Sequence, residues 1–371
     1  MTRIRHRLDA TGAHVVAAAA EKFATEHGHR VVIAVVDPWG RVLELTRTDD
    51  AQAASSQVAV DKARTAAIFV RPSRDIEAQV SGGRLGALAL NGAVALTGGI
   101  PLVIDGEVVG AIGTSGETPD EDESVSLAGA ATPFTTKQVP AMSLTLARRI
   151  SRAVAAECVR RGVHPVVAVV DEGGQLVDQW RPDAAQVASV GVATDKARTA
   201  SIYRRPSKDF EEQTSHGRPS ALHLAGGVPL QGGLPIIVDG HVVGAVGVSG
   251  ATSADEDQGL AELGVRAAAD QPTATYISAT ELARKFQTGG LLVDAPTHKV
   301  DAGRRTAAGS VELHEDETDV IRIEYGAATV DVGGTSYELG EGDVIVIPAG
   351  APHTFTRSSD PLHYYVVKAV G

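Results

Sequence analysis

The sequence repeats itself after 134 residues, and this duplication constrains the fold more than any other feature. The segment from Asp61 to Ala66 returns letter for letter from Asp195 to Ala200. The glycine pair that starts at Gly98 returns at Gly232, again with no gap. A period of this length indicates duplication of a whole domain, since stacked solenoid repeats are far shorter.

Each repeat shows the same order of helix and strand signals, which predicts an α+β domain with an antiparallel sheet and helices packed on it. We predict three domains, which are 1–134, 135–272 and 273–371. The stretch 131–140 is interpreted as a linker. After residue 300, short β-branched runs separated by glycines predict an all-β domain, and a helix near 280–286 is expected to precede it.

Composition excludes several classes of function. The chain has 371 residues and a formal net charge of -12, which argues against binding a phosphate backbone. It contains no apolar stretch long enough to cross a bilayer, so no membrane association is expected. Cys158 is the single cysteine and cannot form an internal disulfide, which favours a reducing, cytoplasmic location.

A lysine lies within the small, apolar face of the long helix in each repeat. These residues, Lys62 and Lys196, must find an anionic partner or lose their protons if they are buried. They are candidate catalytic groups, either an anion clamp or a base with a lowered pKa. The alternative is a structural lysine, which either extends past its small neighbours to solvent or pairs with Asp37 or Asp171. These two aspartates are further ligand-binding candidates. Thr199 shares a face with Lys196 and is included with them.

Two other groups are candidates for ligand binding. The double glycines could let bare backbone approach a ligand, or they could only provide tight bends. These glycines are Gly98, Gly99, Gly232 and Gly233. His216 and His223 occur only in the second repeat and could bind metal or haem, or be solvated side chains.

Acidic residues open the last helix of each repeat. The runs are Asp120 to Glu123 and Asp255 to Asp257. They could hold a cation, but carboxylates in a first helical turn also offset the helix macrodipole, and the second interpretation is preferred.

The repeat resembles the GlcG/HbpS-like family of haem-binding and small-ligand proteins. The matching segments include the run from Lys62 to Ala66, the Gly98-Gly99 pair with Pro101, and the run from Gly110 to Gly116, each with its counterpart in the second repeat. The resemblance implies two profilin-like domains, a ligand pocket near the lysine helix and the double glycine, haem as a cofactor, and assembly into homo-oligomers.

The C-terminal segment resembles a cupin. The run from Gly342 to His353 fits the second cupin motif, and Glu312 to Gly326 fits the first in part. The resemblance implies an all-β cupin barrel in which four residues converge on a divalent transition metal such as Fe, Mn, Ni or Zn. These residues are Glu312, His314, Asp319 and His353.

Three functions remain open at this point. The first is a soluble metabolic enzyme that acts on a small anionic metabolite, with metal-assisted lyase, isomerase or oxygenase chemistry. The second is a non-catalytic protein that binds or senses haem or another small ligand. The third is an accessory or assembly protein whose cupin has only a structural role.

Overall fold

The computed structural model describes residues 2–269, 290–295, 298–305, 317–348, 351–359 and 362–370. The chain divides into two compact units. The first unit is Met1–Ser143 with the short segments Val170–Gln175 and Ile236–Gly244, and the second contains the described part of what remains. The predicted helix near 280–286 and the predicted strand at 311–313 lie outside the described residues.

The first repeat is a four-stranded antiparallel sheet with helices on both faces, in the strand order β3-β2-β5-β4. Its elements are β1 (Arg3–Leu8), α1 (Ala10–Glu26), β2 (Val32–Val36), β3 (Val42–Arg47), α2 (Ser55–Phe69), α3 (Arg74–Ser81), β4 (Gly99–Ile104), β5 (Glu107–Ser115), α4 (Pro119–Ala130) and β6 (Thr136–Ala141). A short 3-10 helix, Leu85–Ala89, follows α3.

The central strand β2 is buried on both sides because its side chains alternate between two cores. Ile33 and Val35 pack with α1 and α4, whereas Val32 and Ala34 pack with Ala59 of α2. Alanines on α2 keep that second interface thin, so the helix backbone lies close to the sheet. This close approach determines where the side chain of Lys62 can go.

Short-range contacts fix the starts of two helices and one hairpin turn. The side chain of Asp9 accepts a hydrogen bond from the amide of Gly12 at the start of α1. Thr118 and Glu121 form a capping box at the start of α4. The Asp105-Gly106 turn joins β4 to β5, with both residues at positive φ.

The interpretation of 131–140 as a linker is wrong for its second half. Residues 136–141 form β6, which pairs in antiparallel register with β1 at the other end of the first unit. The pairing joins residues 128 to 138 positions apart, from Leu8 with Thr136 to Arg3 with Ala141. Local sequence patterns cannot show such a long-range partner, so the strand was missed.

The second repeat has the same strand order, β8-β7-β10-β9, which confirms that the duplication extends to the fold. Its elements are α5 (Leu144–Arg161), β7 (Val166–Asp171), β8 (Leu176–Trp180), α6 (Ser189–Tyr203), α7 (Lys208–Ser215), β9 (Gly233–Val238), β10 (His241–Ser249) and α8 (Ala254–Ala269). A 3-10 helix, Pro219–His223, follows α7.

The described part of the C-terminal domain consists of strands, which confirms the predicted α+β fold with a final β-rich domain. Its strands are β11 (Gly290–Ala295), β12 (His298–Arg305), β13 (Glu317–Tyr325), β14 (Ala328–Val332), β15 (Thr335–Leu339), β16 (Val344–Ile347), β17 (His353–Ser358) and β18 (Leu362–Val370). They form a five-stranded sheet, β11-β12-β18-β13-β16, and a three-stranded sheet, β15-β14-β17. Ile321, Ile323, Val330 and Phe355 are among the residues of the core that both sheets share.

Among the described residues, no helix combines the length and the apolar character needed to cross a membrane.

Candidate functional site

The lysine of the first repeat is buried in an ion pair. Lys62 is 4% exposed, and its Nζ donates to Oδ2 of Asp122 at 2.6 Å and to the carbonyl of Thr114 at 2.9 Å. Asp122 is 2% exposed, and its Oδ1 accepts from the amide of Glu117 at 3.1 Å. Burial raises the pKa of the Asp122 carboxyl, and the hydrogen bond from Lys62 opposes that rise.

The double glycine is required by the backbone of the lysine helix. A Cβ at Gly99 would lie 2.1 Å from the carbonyl oxygen of Lys62, and the Gly99 amide donates to Oγ of Ser73 at 2.8 Å. A Cβ at Gly98, where φ is +125°, would lie 3.1 Å from Nζ of Lys62. The space beside these glycines is therefore filled by the backbone and side chain of Lys62 rather than by a ligand. This supports the interpretation that the glycines are needed for a tight bend.

The second repeat reproduces the arrangement. Lys196 is 4% exposed and donates to Asp257 at 2.9 Å and to the carbonyl of Val248 at 2.9 Å. A Cβ at Gly233 would again lie 2.1 Å from the lysine carbonyl, and one at Gly232 would lie 3.1 Å from Nζ.

One residue has been inserted between the two halves of this second pair. Lys62 and Lys196 differ by 134 positions, but Asp122 and Asp257 differ by 135. The extra residue lies in the loop before α8, and the amide of Ala251 still donates to Asp257, as the amide of Glu117 does to Asp122. The loop absorbs the insertion, and the aspartate keeps its place on the lysine.

Sequence reasoning did not identify Asp122 and Asp257 as the lysine partners. They lie in the first turn of α4 and α8, where the macrodipole interpretation also fits. The signal available in the sequence was an aspartate at the same place in both acidic runs. The predicted action of Lys62 and Lys196 on a substrate stays a prediction.

The alternative partners, Asp37 and Asp171, close hairpin turns instead. Oδ1 of Asp37 accepts from the amides of Trp39 and Arg41, both at 2.9 Å, and Oδ1 of Asp171 accepts from the amide of Gln175 at 2.9 Å. Burial raises the pKa of Asp37, and these amide donors oppose the rise.

The remaining candidates of the second repeat are Thr199, His216 and His223. Oγ1 of Thr199 donates to the carbonyl of Asp195 and accepts from the amide of Val228, so it joins α6 to the following loop. His216 is exposed at the end of α7, and His223 is exposed at the end of the 3-10 helix. Their predicted roles as ligands stay predictions.

Two of the four predicted metal ligands meet in the C-terminal domain. Asp319 on β13 and His353 at the start of β17 are both buried, and Oδ2 of Asp319 lies 3.4 Å from Nε2 of His353. Glu312 and His314 lie outside the described residues. Within the described ranges, no group of three or more His, Cys, Asp or Glu side chains is arranged to hold a metal.

The Asp319–His353 pair fits a divalent ion. Two donors, each about 2.1 Å from an ion with tetrahedral geometry, lie about 3.4 Å apart. Nδ1 of His353 lies 3.3 Å from the carbonyl of Ala351. A carbonyl can only accept, so Nδ1 carries the proton there and Nε2 keeps its lone pair for a metal.

Comparison with known proteins identifies the domains of the chain. A family model described as haem degrading protein HbpS-like matches residues 8–131 and 142–266, and a cupin domain model matches 299–368. The two segments that match the HbpS-like model together cover more than half of the chain.

Three individual relatives each match less than two fifths of the chain. Protein GlcG of Escherichia coli K12 is 40% identical over 83 residues, which are 22% of this chain and 62% of GlcG. An uncharacterized 15.0 kDa protein of Citrobacter freundii is 35% identical over 130 residues, 34% of this chain and 91% of that protein. A crystal structure of a double mutant of HbpS from Streptomyces reticuli shares 30% identity over 37% of this chain and 96% of its own, with a TM-score of 0.34.

The chain spans 62% of the length of GlcG, so it matches that relative only in part. The two repeats, with their common strand order and their duplicated lysine–aspartate pair, fall within the matched segments. The chain therefore belongs to the HbpS-like family, whose domain it contains twice, and it carries a cupin domain at its C-terminal end.

Proposed function

We propose that the protein is a metal-dependent enzyme that acts on a small anionic compound, with a divalent transition metal held in the cupin domain. The observation that carries this proposal is the buried Asp319–His353 pair, with its donor atoms 3.4 Å apart. A carboxylate and an imidazole buried together suit a borderline ion such as Fe, Mn, Ni or Zn.

Neighbouring groups hold the two donor side chains in position without a bound ion. The carbonyl of Ala351 orients the ring of His353, and β13 holds Asp319 opposite to it. Glu312 and His314 are the further ligands that the cupin resemblance implies. A metal bound here would supply Lewis-acid chemistry for a lyase, isomerase or oxygenase reaction.

Elemental analysis of the purified full chain tests the proposal. We expect about one transition-metal ion per chain, and a large loss of metal in Asp319→Asn and His353→Ala. Asp331→Asn is the matched control, because Asp331 lies on β14 and bonds to Ser336 rather than to the buried pair. Far-ultraviolet circular dichroism reports whether each variant is folded.

Two results would overturn the metal site. One is equal metal content in the folded His353→Ala variant and the parent chain. The other is a parent chain that stays free of metal after incubation with Fe(II), Mn(II), Ni(II) and Zn(II) in turn.

Haem binding by the second repeat is the second candidate function. His216 borders a surface cavity of about 500 Å³ together with Arg205 and Arg218. Its Nδ1 lies 2.7 Å from the carbonyl of Glu212, so Nδ1 is the donor and Nε2 is left as a potential axial ligand. The two guanidinium groups suit the propionates of a haem.

Titration of the chain with haemin tests this candidate. A Soret band that forms in the parent chain and is lost in His216→Ala would support it. His241→Ala is the control, because His241 is an exposed histidine on a different hairpin of the same repeat. A band of equal strength in His216→Ala would exclude His216 as the axial ligand. Assembly into homo-oligomers stays a prediction from the family resemblance.

A further inference from the structure

A cavity of about 590 Å³ in the first unit is lined by three arginines. Arg3 and Arg5 come from β1, and Arg64 comes from α2. The volume falls in the range of small-molecule sites. Three cationic side chains around one cavity contrast with the net charge of -12 of the whole chain.

Arg5 is fixed in place beside this cavity. It is 7% exposed, and its guanidinium lies 4.8 Å from the centroid of the Trp39 ring. Nε1 of Trp39 donates to Oδ2 of Asp171 at 3.0 Å, and a Cβ at Gly173 would lie 2.2 Å from the same ring. The ring is therefore held on two sides, and it positions the arginine.

The positive charge of Arg5 is only partly neutralised by the protein. Its Nε lies 3.7 Å from Oε1 of Glu107, which is an ion pair but not a hydrogen bond. In the described part of the chain this buried Nε has no hydrogen-bond partner. A buried donor without an acceptor is costly, so an incoming oxygen atom would relieve that cost.

The two acidic groups of the cavity already have donors. Glu107 accepts from the amide of His6 at 3.3 Å in addition to pairing with Arg5, and Asp171 accepts from Trp39 and Gln175. By contrast, the side chains of Arg3 and Arg64 make no hydrogen bond or ion pair within the described ranges. The cavity therefore carries positive charge that no acidic side chain of the described residues neutralises.

The position of Arg64 depends on a glycine. A Cβ at Gly40 would lie 2.4 Å from Cγ of Arg64, so the arginine stem lies directly against the β2–β3 turn, where φ of Gly40 is +78°. Its counterpart Arg198 is bound differently, because it pairs with Asp195 at 2.8 Å. Asp61, which corresponds to Asp195, accepts from Gln57 instead. In the described part of the molecule, the guanidinium of Arg64 thus has no ion-pair partner, whereas its counterpart in the second repeat is neutralised.

We propose that this cavity binds the oxyanion group of a small molecule, a carboxylate or a phosphate, through Arg3, Arg5 and Arg64. Guanidinium groups match both anions because their planar donor pairs fit two oxygens at once. The proposal deepens the proposed function and rests on it only for the statement that the bound anion is a substrate. Binding itself does not require the metal.

Isothermal titration calorimetry of the full chain at low ionic strength tests the site, with inorganic phosphate and malonate as probes. We expect saturable binding of at least one probe, and the stronger of the two identifies the group that the site prefers. The side chains of Arg3 and Arg64 are exposed, so Arg64→Gln and Arg3→Gln should fold. Each variant should weaken binding about tenfold or more. Arg198→Gln is the matched control and should bind like the parent chain.

The possible outcomes separate this site from the metal site. Loss of binding in Arg64→Gln but not in Arg198→Gln or His353→Ala supports the proposal. It is overturned if neither probe saturates, if sodium chloride at equal ionic strength gives the same heat, or if Arg198→Gln weakens binding as much as Arg64→Gln. Failure of the metal proposal would appear in elemental analysis and leave these titrations unchanged.

Discussion

The two repeats share their buried ion pair but differ on their surfaces. In both, a lysine on the long helix donates to an aspartate and to a strand carbonyl, with a double glycine beside it. The surface has diverged, since Arg64 has no partner among the described residues whereas Arg198 is paired, and position 216 is a histidine where the first repeat has Gly82. The comparison indicates that the pair constrains packing, while the surfaces of the two repeats have been free to diverge.

The largest expected effect comes from breaking the pair. Lys62→Met and Lys196→Met each leave a buried carboxylate without its cation, so we expect each to lower the free energy of unfolding by about 3–5 kcal/mol in urea titrations. Lys22→Met is the control, because Lys22 is exposed and lies 3.8 Å from Glu26 on the same helix. It should cost about 0.5 kcal/mol or less.

The effect in the first repeat should depend on pH. Because burial raises the folded pKa of Asp122 above its unfolded value, the protonated carboxyl favours the native state, and that contribution is lost as pH rises through the folded pKa. Removing Lys62 removes the group that opposes this rise. The destabilisation by Lys62→Met should therefore shrink toward acidic pH, and a cost independent of pH would contradict a buried carboxylate as its cause.

Cys158 makes the comparison between repeats measurable. It lies on α5 of the second repeat, is 0% exposed, and burial raises the pKa of its thiol to about 12. A thiol reagent at mildly alkaline pH should therefore react only when the second repeat opens. We expect Lys196→Met to accelerate labelling more than Lys62→Met, and equal acceleration would show that both repeats open together.

The next largest effect concerns the double glycine. Gly99→Ala and Gly233→Ala push a Cβ against a lysine carbonyl at 2.1 Å, so we expect losses of about 1–3 kcal/mol or more in unfolding free energy. Gly86→Ala is the control, since a Cβ there meets nothing within 4 Å. If Gly99→Ala unfolds like the control, the close approach of α2 to β4 is not a constraint.

Local signals in the sequence were enough for much of the fold but not for the site. Asp9, Thr118 and the Asp105-Gly106 turn each act through neighbours within a few residues, so their roles could be predicted. Strand β6 and the partner of Lys62 depend on residues 60 or more positions away, as with Asp122. The repeat pointed to the lysine, because it occurs on the apolar helix face twice. Its partner, however, is evident only in the folded chain.

The smallest effect is expected where the second repeat has gained a surface cluster. Glu157 on α5 accepts from Arg160 and Arg161 at 2.6–2.7 Å, whereas the corresponding positions in the first repeat are Phe23, Glu26 and His27. The two arginines lower the pKa of Glu157 to about 2. Glu157→Gln should lower the free energy of unfolding by less than about 1 kcal/mol near pH 7, because surface pairs are weak.

The sign of the pH dependence distinguishes this surface cluster from the buried pair. A carboxyl with a lowered folded pKa stabilises the native state above its unfolded pKa, and that stabilisation is lost as pH falls toward about 2. The difference between Glu157→Gln and the parent chain should therefore vanish in urea titrations at low pH and in high salt. Glu26→Gln serves as the control. Glu26 pairs with Lys22 on α1, four residues away, which is the same separation as between Glu157 and Arg161. A difference that persists in high salt would mean that Glu157 acts through packing, and the surface of the second repeat would then be as constrained as its core.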